Sequence, residues 1–245
     1  MSNIPKKIHY CWFGGKPLPK LAQKCIESWK KYLPDYEIIE WNESNFNVNI
    51  IPYTSEAYNA KKYAFVSDYA RFWILYHYGG LYFDTDVEVI KPIDNIIVRG
   101  SFMGCENEAL GNVHANVAPG LGLGAYPGLE LYNQILLMYS KEHFINNDNS
   151  YNLKTVVTYV TELLIEYGLK VTNEIQMCAD ILIYPKEYFC PIDYFTGNFV
   201  QTDNTCSIHW YTASWVKKDE LFKKKFKAKF PKLYLFIRGI YKKIL

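Results

Sequence analysis

A chain of 245 residues, 49% hydrophobic and 21% charged, with a formal net charge of +2, suits one globular core with a small appendage. No apolar run approaches the roughly 20 residues that span a bilayer, no apolar leader opens the chain, and the six cysteines form no Cys-x-x-Cys pair. These features argue against spanning, exported or zinc-knuckle proteins, and the expectation is packed, reduced thiols in the cytoplasm.

Over residues 4–12, Ile8, Tyr10 and Trp12 alternate with Lys7, His9 and Cys11, which predicts a strand. Phe13-Gly14-Gly15 turns the chain. Residues 18–32 predict a helix with Leu21, Cys25, Ile26 and Trp29 on one face, ended by Pro34-Asp35. A second strand is predicted over 36–41, before a turn at Asn42-Glu43-Ser44-Asn45. Strand, helix, strand is the opening of an α/β nucleotide-binding sheet. Residues 55–78 predict a long helix, with a break near Lys61-Lys62 and a C-cap at Gly79-Gly80. A short buried strand follows over 81–83, and 87–90 continue extended. Ligands of open α/β sheets sit beyond the carboxyl ends of the strands, where Asp84 and Asp86 fall.

Residues 100–128 carry Gly104, Gly111, Gly120, Gly122, Gly124 and Gly128 without the Gly-Lys-Ser/Thr of a P-loop, and predict loops and short strands around a cleft. Helices are predicted over 129–139 and 153–167, the second ended by Gly168. A strand is predicted over 181–184, and a last core strand over 207–211. The expectation is a core of residues 1–216 and a tail of 217–245. The tail holds ten Lys and one Arg against Asp219 and Glu220, a net +9, which leaves −7 on residues 1–216. Its basic residues interleave with Tyr234, Leu235, Phe236, Ile237, Ile240 and Tyr241, the pattern of a helix lying on an anionic membrane or of a solvated helical face. The acidic remainder argues against a nucleic-acid partner.

Asp84 and Asp86 stand at i, i+2 at the end of a strand, so both project to the same side of the pleat. Hard divalent cations such as Mn²⁺ or Mg²⁺ take one or two carboxylates plus substrate phosphates; the plain alternative is a solvated turn. Asp68 and Arg71 share a helix face at i, i+3. Phe65, Val66, Phe72, Trp73, Ile74 and Leu75 surround them in sequence, so a buried or cleft-facing pair is expected rather than a surface one. Guanidinium donors and carboxylate acceptors suit sugar hydroxyls and phosphate.

The segment YAFVSDYARFWILYHYGGLYFDTDVEV over 63–89 resembles the signature of family-32 glycosyltransferases, the bacterial capsular and lipopolysaccharide enzymes. That family is in turn similar to yeast initiating mannosyltransferases and, distantly, to the glucosylating clostridial toxins. IPKKIHYCWFGGKPLP with SWKKYLPDYEIIEWN is similar to the family's opening strand and helix, and IYPKEYFCPIDY with SIHWYTASW to its closing segment. The resemblance covers residues 4–216. It implies a GT-A (Rossmann-like) α/β fold, a mixed central sheet flanked by helices, and a nucleotide-sugar donor with Mn²⁺ or Mg²⁺. By position it implies that Asp86 ligates the metal and that Asp84 meets the donor sugar or ribose and the metal's water shell. Asp68 and Arg71 would hold sugar hydroxyls, and Trp12, with Phe13 beside it, would sit by the base. Thr85, Ser214 and Trp215 would complete the donor site, and His209 is a further metal candidate. Family members often carry Thr-Gly-Pro near Thr158-Tyr159-Val160; its absence here leaves the acceptor side unassigned.

The function so implied is metal-dependent, retaining hexosyl transfer to a growing glycan or lipid-linked oligosaccharide in surface-polysaccharide synthesis, on the inner face of the cytoplasmic membrane. UDP-galactose, UDP-glucose and UDP-N-acetylhexosamines come first as donors, then GDP-mannose. A positive charge about 4 Å from the departing phosphate is worth about 4 kcal/mol at an effective dielectric of about 20, about a thousandfold in rate if felt only in the transition state. The alternatives are a nucleotide-sugar hydrolase and an inactive carbohydrate-binding protein.

Overall fold

The computed structural model of the protein describes residues 4–193 and 196–211. The opening is as expected: β1 (Lys7–Cys11), α1 (Lys20–Tyr32) and β2 (Glu37–Trp41). The long helix is two helices, α2 (Pro52–Asn59) and α3 (Tyr63–Tyr78), parted where Lys61 takes φ 57°, a left-handed value that a continuing helix cannot hold. Gly79, at φ 61°, caps α3, its N–H bonding the carbonyl of Leu75 at 2.9 Å. Next come β3 (Gly80–Tyr82), β4 (Val87–Val89), the short α4 (Asp94–Ile97), β5 (Phe102–Gly104) and β6 (Leu123–Ala125). The chain continues through α5 (Glu130–Tyr139), α6 (Val156–Glu166), β7 (Gln176–Cys178), β8 (Ile181–Tyr184) and β9 (Ser207–His209).

Seven strands form one mixed sheet in the order β2-β1-β3-β6-β5-β8-β7. β1 runs parallel to β2 and β3, and β6 runs antiparallel to β3 and to β5, so β5 points the same way as β3. β8 is parallel to β5. The carboxyl ends of β1, β2, β3, β5 and β8 therefore share one rim. This is the α/β architecture, a mixed central sheet flanked by helices, that the resemblance implied.

One face of the sheet buries against α2, α3, α5 and α6 and the other against α1, α4 and the β4–β9 ribbon. Because both faces are covered, the polar half of the β1 alternation is buried as well. His9 is fully enclosed, accepting from the Trp41 indole N–H at Nδ1 (3.0 Å) with its Nε2 3.0 Å from the carbonyl of Gly79. The indole can only donate, so Nδ1 carries the lone pair and Nε2 the proton. The last core strand expected over 207–211 is present but shorter, ending at His209. Ser207–His209 does not join the main sheet but pairs antiparallel with β4, Val87 opposite His209. The ribbon is tied to α1 through the Trp29 indole, which donates to the Val87 carbonyl at 2.8 Å. β7 and α4 carry too short a pattern to be read from sequence. All six cysteines are free and buried. Among the described residues no helix is long and apolar enough to cross a membrane. The tail of 217–245 lies outside the described residues.

Candidate functional site

β3 delivers Phe83 and Asp84 to the rim, where the Asp84 N–H bonds the carbonyl of Gly120 at 3.1 Å. The Asp84 carboxylate receives the Tyr82 hydroxyl at 3.1 Å and Arg71 at 3.4 Å. Arg71 reaches there from α3, where it also pairs with Asp68, the neighbour on its helix face that the i, i+3 spacing foretold. Its Nη2 bonds Asp68 at 2.8 Å, its Nε bonds the Ser67 carbonyl at 3.1 Å, and its guanidinium lies 4.9 Å over the Tyr82 ring. Arg71 is 3% exposed and Asp68 8%, whereas the Asp84 side chain is 30% exposed. The expected pair is thus buried and stands behind Asp84, so a ligand arriving at the rim meets Asp84 first.

Charge follows burial. Burial pushes the Asp68 carboxyl up to about 7; Arg71 pulls it down and the neighbouring Asp84 pushes it up. Burial works against the Arg71 cation, but Asp84, Tyr82, Asp68 and Cys11 around it hold its pKa above the ordinary value. One guanidinium thus serves two carboxylates in a dry setting, where each pairing is worth more than on the surface.

Asp86 lies two residues on, where β4 begins. His209 faces it from β9 with Nε2 3.2 Å from the carboxylate, and the Trp210 N–H bonds the Asp86 carbonyl at 2.9 Å. Burial disfavours a charged His209 ring, but the hydrogen bond to Asp86 and the charges of Asp86, Asp84 and Glu106 outweigh it and raise the pKa. The other ring nitrogen, Nδ1, is buried with no hydrogen-bond partner among the described residues. Sequence named Asp86 and His209 separately; the ribbon brings them together.

The remaining expected residues divide. Trp12 is half-buried just past β1, its indole N–H donating to the Lys16 carbonyl at 2.5 Å. Phe13 is buried and packs edge-to-face on Phe46, with centroids 5.8 Å apart, so its ring belongs to the core rather than to an open donor site. Thr85 is half-buried between the two aspartates. Ser214 and Trp215 lie outside the described residues. Residues not singled out from sequence also gather here. Tyr82 orients Asp84. Glu106 follows β5 onto the same rim, where Asn116 bonds it at 3.4 Å. Burial raises the Glu106 pKa, with Asn116 and His209 opposing. Glu106 carried no sequence signal beyond its place after a Gly-rich strand.

Among the described residues no three His, Cys, Asp or Glu side chains are close enough to hold a metal by themselves. The donors present nonetheless fit a divalent cation shared with a diphosphate. Asp86 supplies a hard carboxylate and Asp84 a second, partly exposed one. His209 meets Asp86 through Nε2 at 3.2 Å, so its Nδ1 lies on the other side of the ring and the imidazole backs Asp86 rather than sharing a cation with it.

The family described as "Glycosyltransferase sugar-binding region containing DXD motif" matches residues 19–103, a stretch that includes Asp68, Arg71, Asp84 and Asp86 and excludes Trp12 and His209. Inositol phosphoceramide mannosyltransferase 1 of Schizosaccharomyces pombe is 30% identical over 45% of this chain and 37% of its own length. The chain thus spans little more than a third of the curated relatives it matches first. The uncharacterized glycosyltransferase L373 of Acanthamoeba polyphaga mimivirus is 27% identical over 93% of this chain and 90% of its own. Of solved structures, the PaToxG glycosyltransferase aligns over 66% of this chain and 70% of its own with a TM-score of 0.46 and 19% identity.

Proposed function

We propose that this chain, a relative of the family-32-type DXD glycosyltransferases, transfers a hexose from a nucleoside-diphosphate sugar to a hydroxyl of a glycan or glycolipid acceptor. The observation that carries the reading is the convergence on one sheet rim of Asp84, backed by Arg71, Asp68 and Tyr82, with Asp86, backed by His209. Partly exposed carboxylates with buried partners are groups held in place for a ligand at the cost of desolvation.

Asp86, with His209 behind it, would hold Mn²⁺ or Mg²⁺, which when bound supplies positive charge where the leaving group gains negative charge. Asp84 accepts hydrogen bonds from donor hydroxyls, in an orientation that Arg71 and Tyr82 set. Asp68, on the far side of Arg71, supplies the second anion that keeps the guanidinium aligned. Retention by front-face transfer, with the departing phosphate receiving the acceptor's proton, is the mechanism we favour. A covalent glycosyl-enzyme adduct seen by mass spectrometry overturns it.

The relatives' names, which speak of mannosyl transfer, favour a mannose donor, and GDP-mannose therefore stands level with the UDP-hexoses in this reading; a lipid-borne acceptor agrees with the +9 charge of residues 217–245. The surface-polysaccharide role rests on the sequence resemblance. Equal sedimentation with anionic liposomes of chains with and without 217–245 removes the membrane part of the reading. The deciding experiment is a thermal-shift panel of UDP, GDP and their hexose conjugates with and without Mn²⁺. One conjugate is expected to stabilise the protein in a metal-dependent way, and Asp86→Asn to lose that shift while keeping its own melting temperature. No metal-dependent shift from any of them refutes the proposal. Free hexose released at saturating acceptor favours the hydrolase instead.

A further inference from the structure

Gly120 supplies the carbonyl that fixes the backbone of Asp84, and its Cα faces the same residue's side chain. A Cβ built on Gly120 would lie 2.0 Å from Asp84 Oδ2, 3.0 Å from its Cγ and 3.4 Å from Arg71 Nη1. A carbon–oxygen approach near 2 Å is well inside van der Waals contact. Backbone conformation is not the reason for glycine here. Gly122, two residues on, takes φ 151°, while Gly120 is not among the glycines of positive φ, so an L-residue fits its backbone. The carboxylate of Asp84 occupies the space a side chain would need.

We infer that Gly120 is a positioning residue for Asp84: its missing side chain is the seat that lets the carboxylate dock against Tyr82 and Arg71 while facing the rim. The inference rests on the glycosyl-transfer reading for its functional meaning and on contacts alone for its geometry. Two responses to a methyl group at position 120 are open. The backbone could withdraw, which breaks the Asp84 N–H to Gly120 carbonyl bond and disturbs the turn from Ala118 to Leu121, closed by a 3.2 Å bond. Or the Asp84 side chain could rotate, which gives up its 3.1 Å and 3.4 Å bonds to Tyr82 and Arg71. The second disturbs only a side chain at the rim, so the variant folds with its carboxylate turned out of place.

The test pairs a crystal structure of Gly120→Ala with calorimetric UDP affinity, in the presence of Mn²⁺, for wild type, Gly120→Ala, Asp84→Ala and the double variant. The expected structure shows the Asp84 carboxylate displaced by about 1 Å or more from the Tyr82 hydroxyl, a scale at which function is lost. The expected affinity loss from Gly120→Ala is about tenfold in the wild-type background, as for other groups that orient a ligating shell, and less than about twofold once Asp84 is alanine. A carboxylate that keeps its bond to Tyr82 in Gly120→Ala overturns the inference, and so does a loss of the same size in both backgrounds, which would mark Gly120 as a packing residue. GDP replaces UDP if wild type binds only GDP; if it binds neither with Mn²⁺, the function proposed above falls, and the position of the carboxylate in Gly120→Ala still decides the seat.

Discussion

Replacing Arg71 with methionine removes the one cation that two carboxylates share. Arg71 is enclosed, and its 2.8 Å bond to Asp68 is the shortest of its contacts. Breaking a buried pair by deleting one partner costs about 3–5 kcal/mol, because the survivor is left charged and dry. Asp68 has an escape, since burial already holds it near 7 with Arg71 present, and without that cation it rises further. Its folded value lies above its unfolded value, so the native state binds the extra proton. Stability from this group is therefore present in acid and is lost as pH rises through the folded value. Arg71→Met should accordingly cost about 1–2 kcal/mol at pH 5.5, where only hydrogen bonds and packing are lost, and about 1 kcal/mol more at pH 8, because a carboxyl kept protonated one pH unit above the wild-type value forgoes about 1.4 kcal/mol. With a urea slope of about 2 kcal/mol per M, the pH 8 deficit moves the unfolding midpoint by about 1 M. Asp68→Asn added to Arg71→Met removes the titrating group and should recover the extra loss at pH 8. Equal deficits at the two pH values, or a double variant no better than Arg71→Met, would refute the reasoning.

Two further predictions concern the frame around the site. His9 must be neutral to accept from Trp41, and burial, with Lys7 adding to it, lowers its pKa to about 4 against a smaller opposing effect of Gly79. Its folded value is below its unfolded value of 6.5, so its roughly 3 kcal/mol of stability is present above 6.5 and is lost as pH falls through 4. In wild type the Asp68 slope opposes this one; Asp68→Asn should therefore unfold more steeply in acid than wild type, and chemical denaturation at pH 4.5 and 6.5 checks it. Trp29→Phe removes the 2.8 Å donor to the Val87 carbonyl and should cost about 2 kcal/mol through the unsatisfied carbonyl. Because Val87 adjoins Asp86, it should also weaken Mn²⁺-dependent nucleotide binding, read by calorimetry; unchanged stability and binding would show that the ribbon is held by other contacts.

Much of this site is visible in the chain before any coordinates. Asp68 with Arg71 is a helix spacing, and Gly79 with the Lys61-Lys62 break sets where the helices stop, each a consequence of local backbone geometry within one or two turns; Asp84 and Asp86, expected on one side of a pleat, are instead parted by a turn that the Val87 N–H closes on the Asp84 carbonyl at 3.0 Å. What local geometry cannot express is which distant groups meet. His209 reaches Asp86 only because Ser207–His209 pairs with β4 instead of joining the central sheet. Glu106 shares the rim only because β6 reverses and lets β5 run with β3. Phe13, which the resemblance set beside the base, turns its ring inward onto Phe46. Gly120 is one of several glycines in its stretch, and only the folded chain shows that an aspartate carboxylate fills the place of its side chain. Strand partners and packing neighbours are chosen by burying two sheet faces at once, a condition on the whole chain, so the sequence by itself determined the elements and the chemical groups while tertiary packing decided their company.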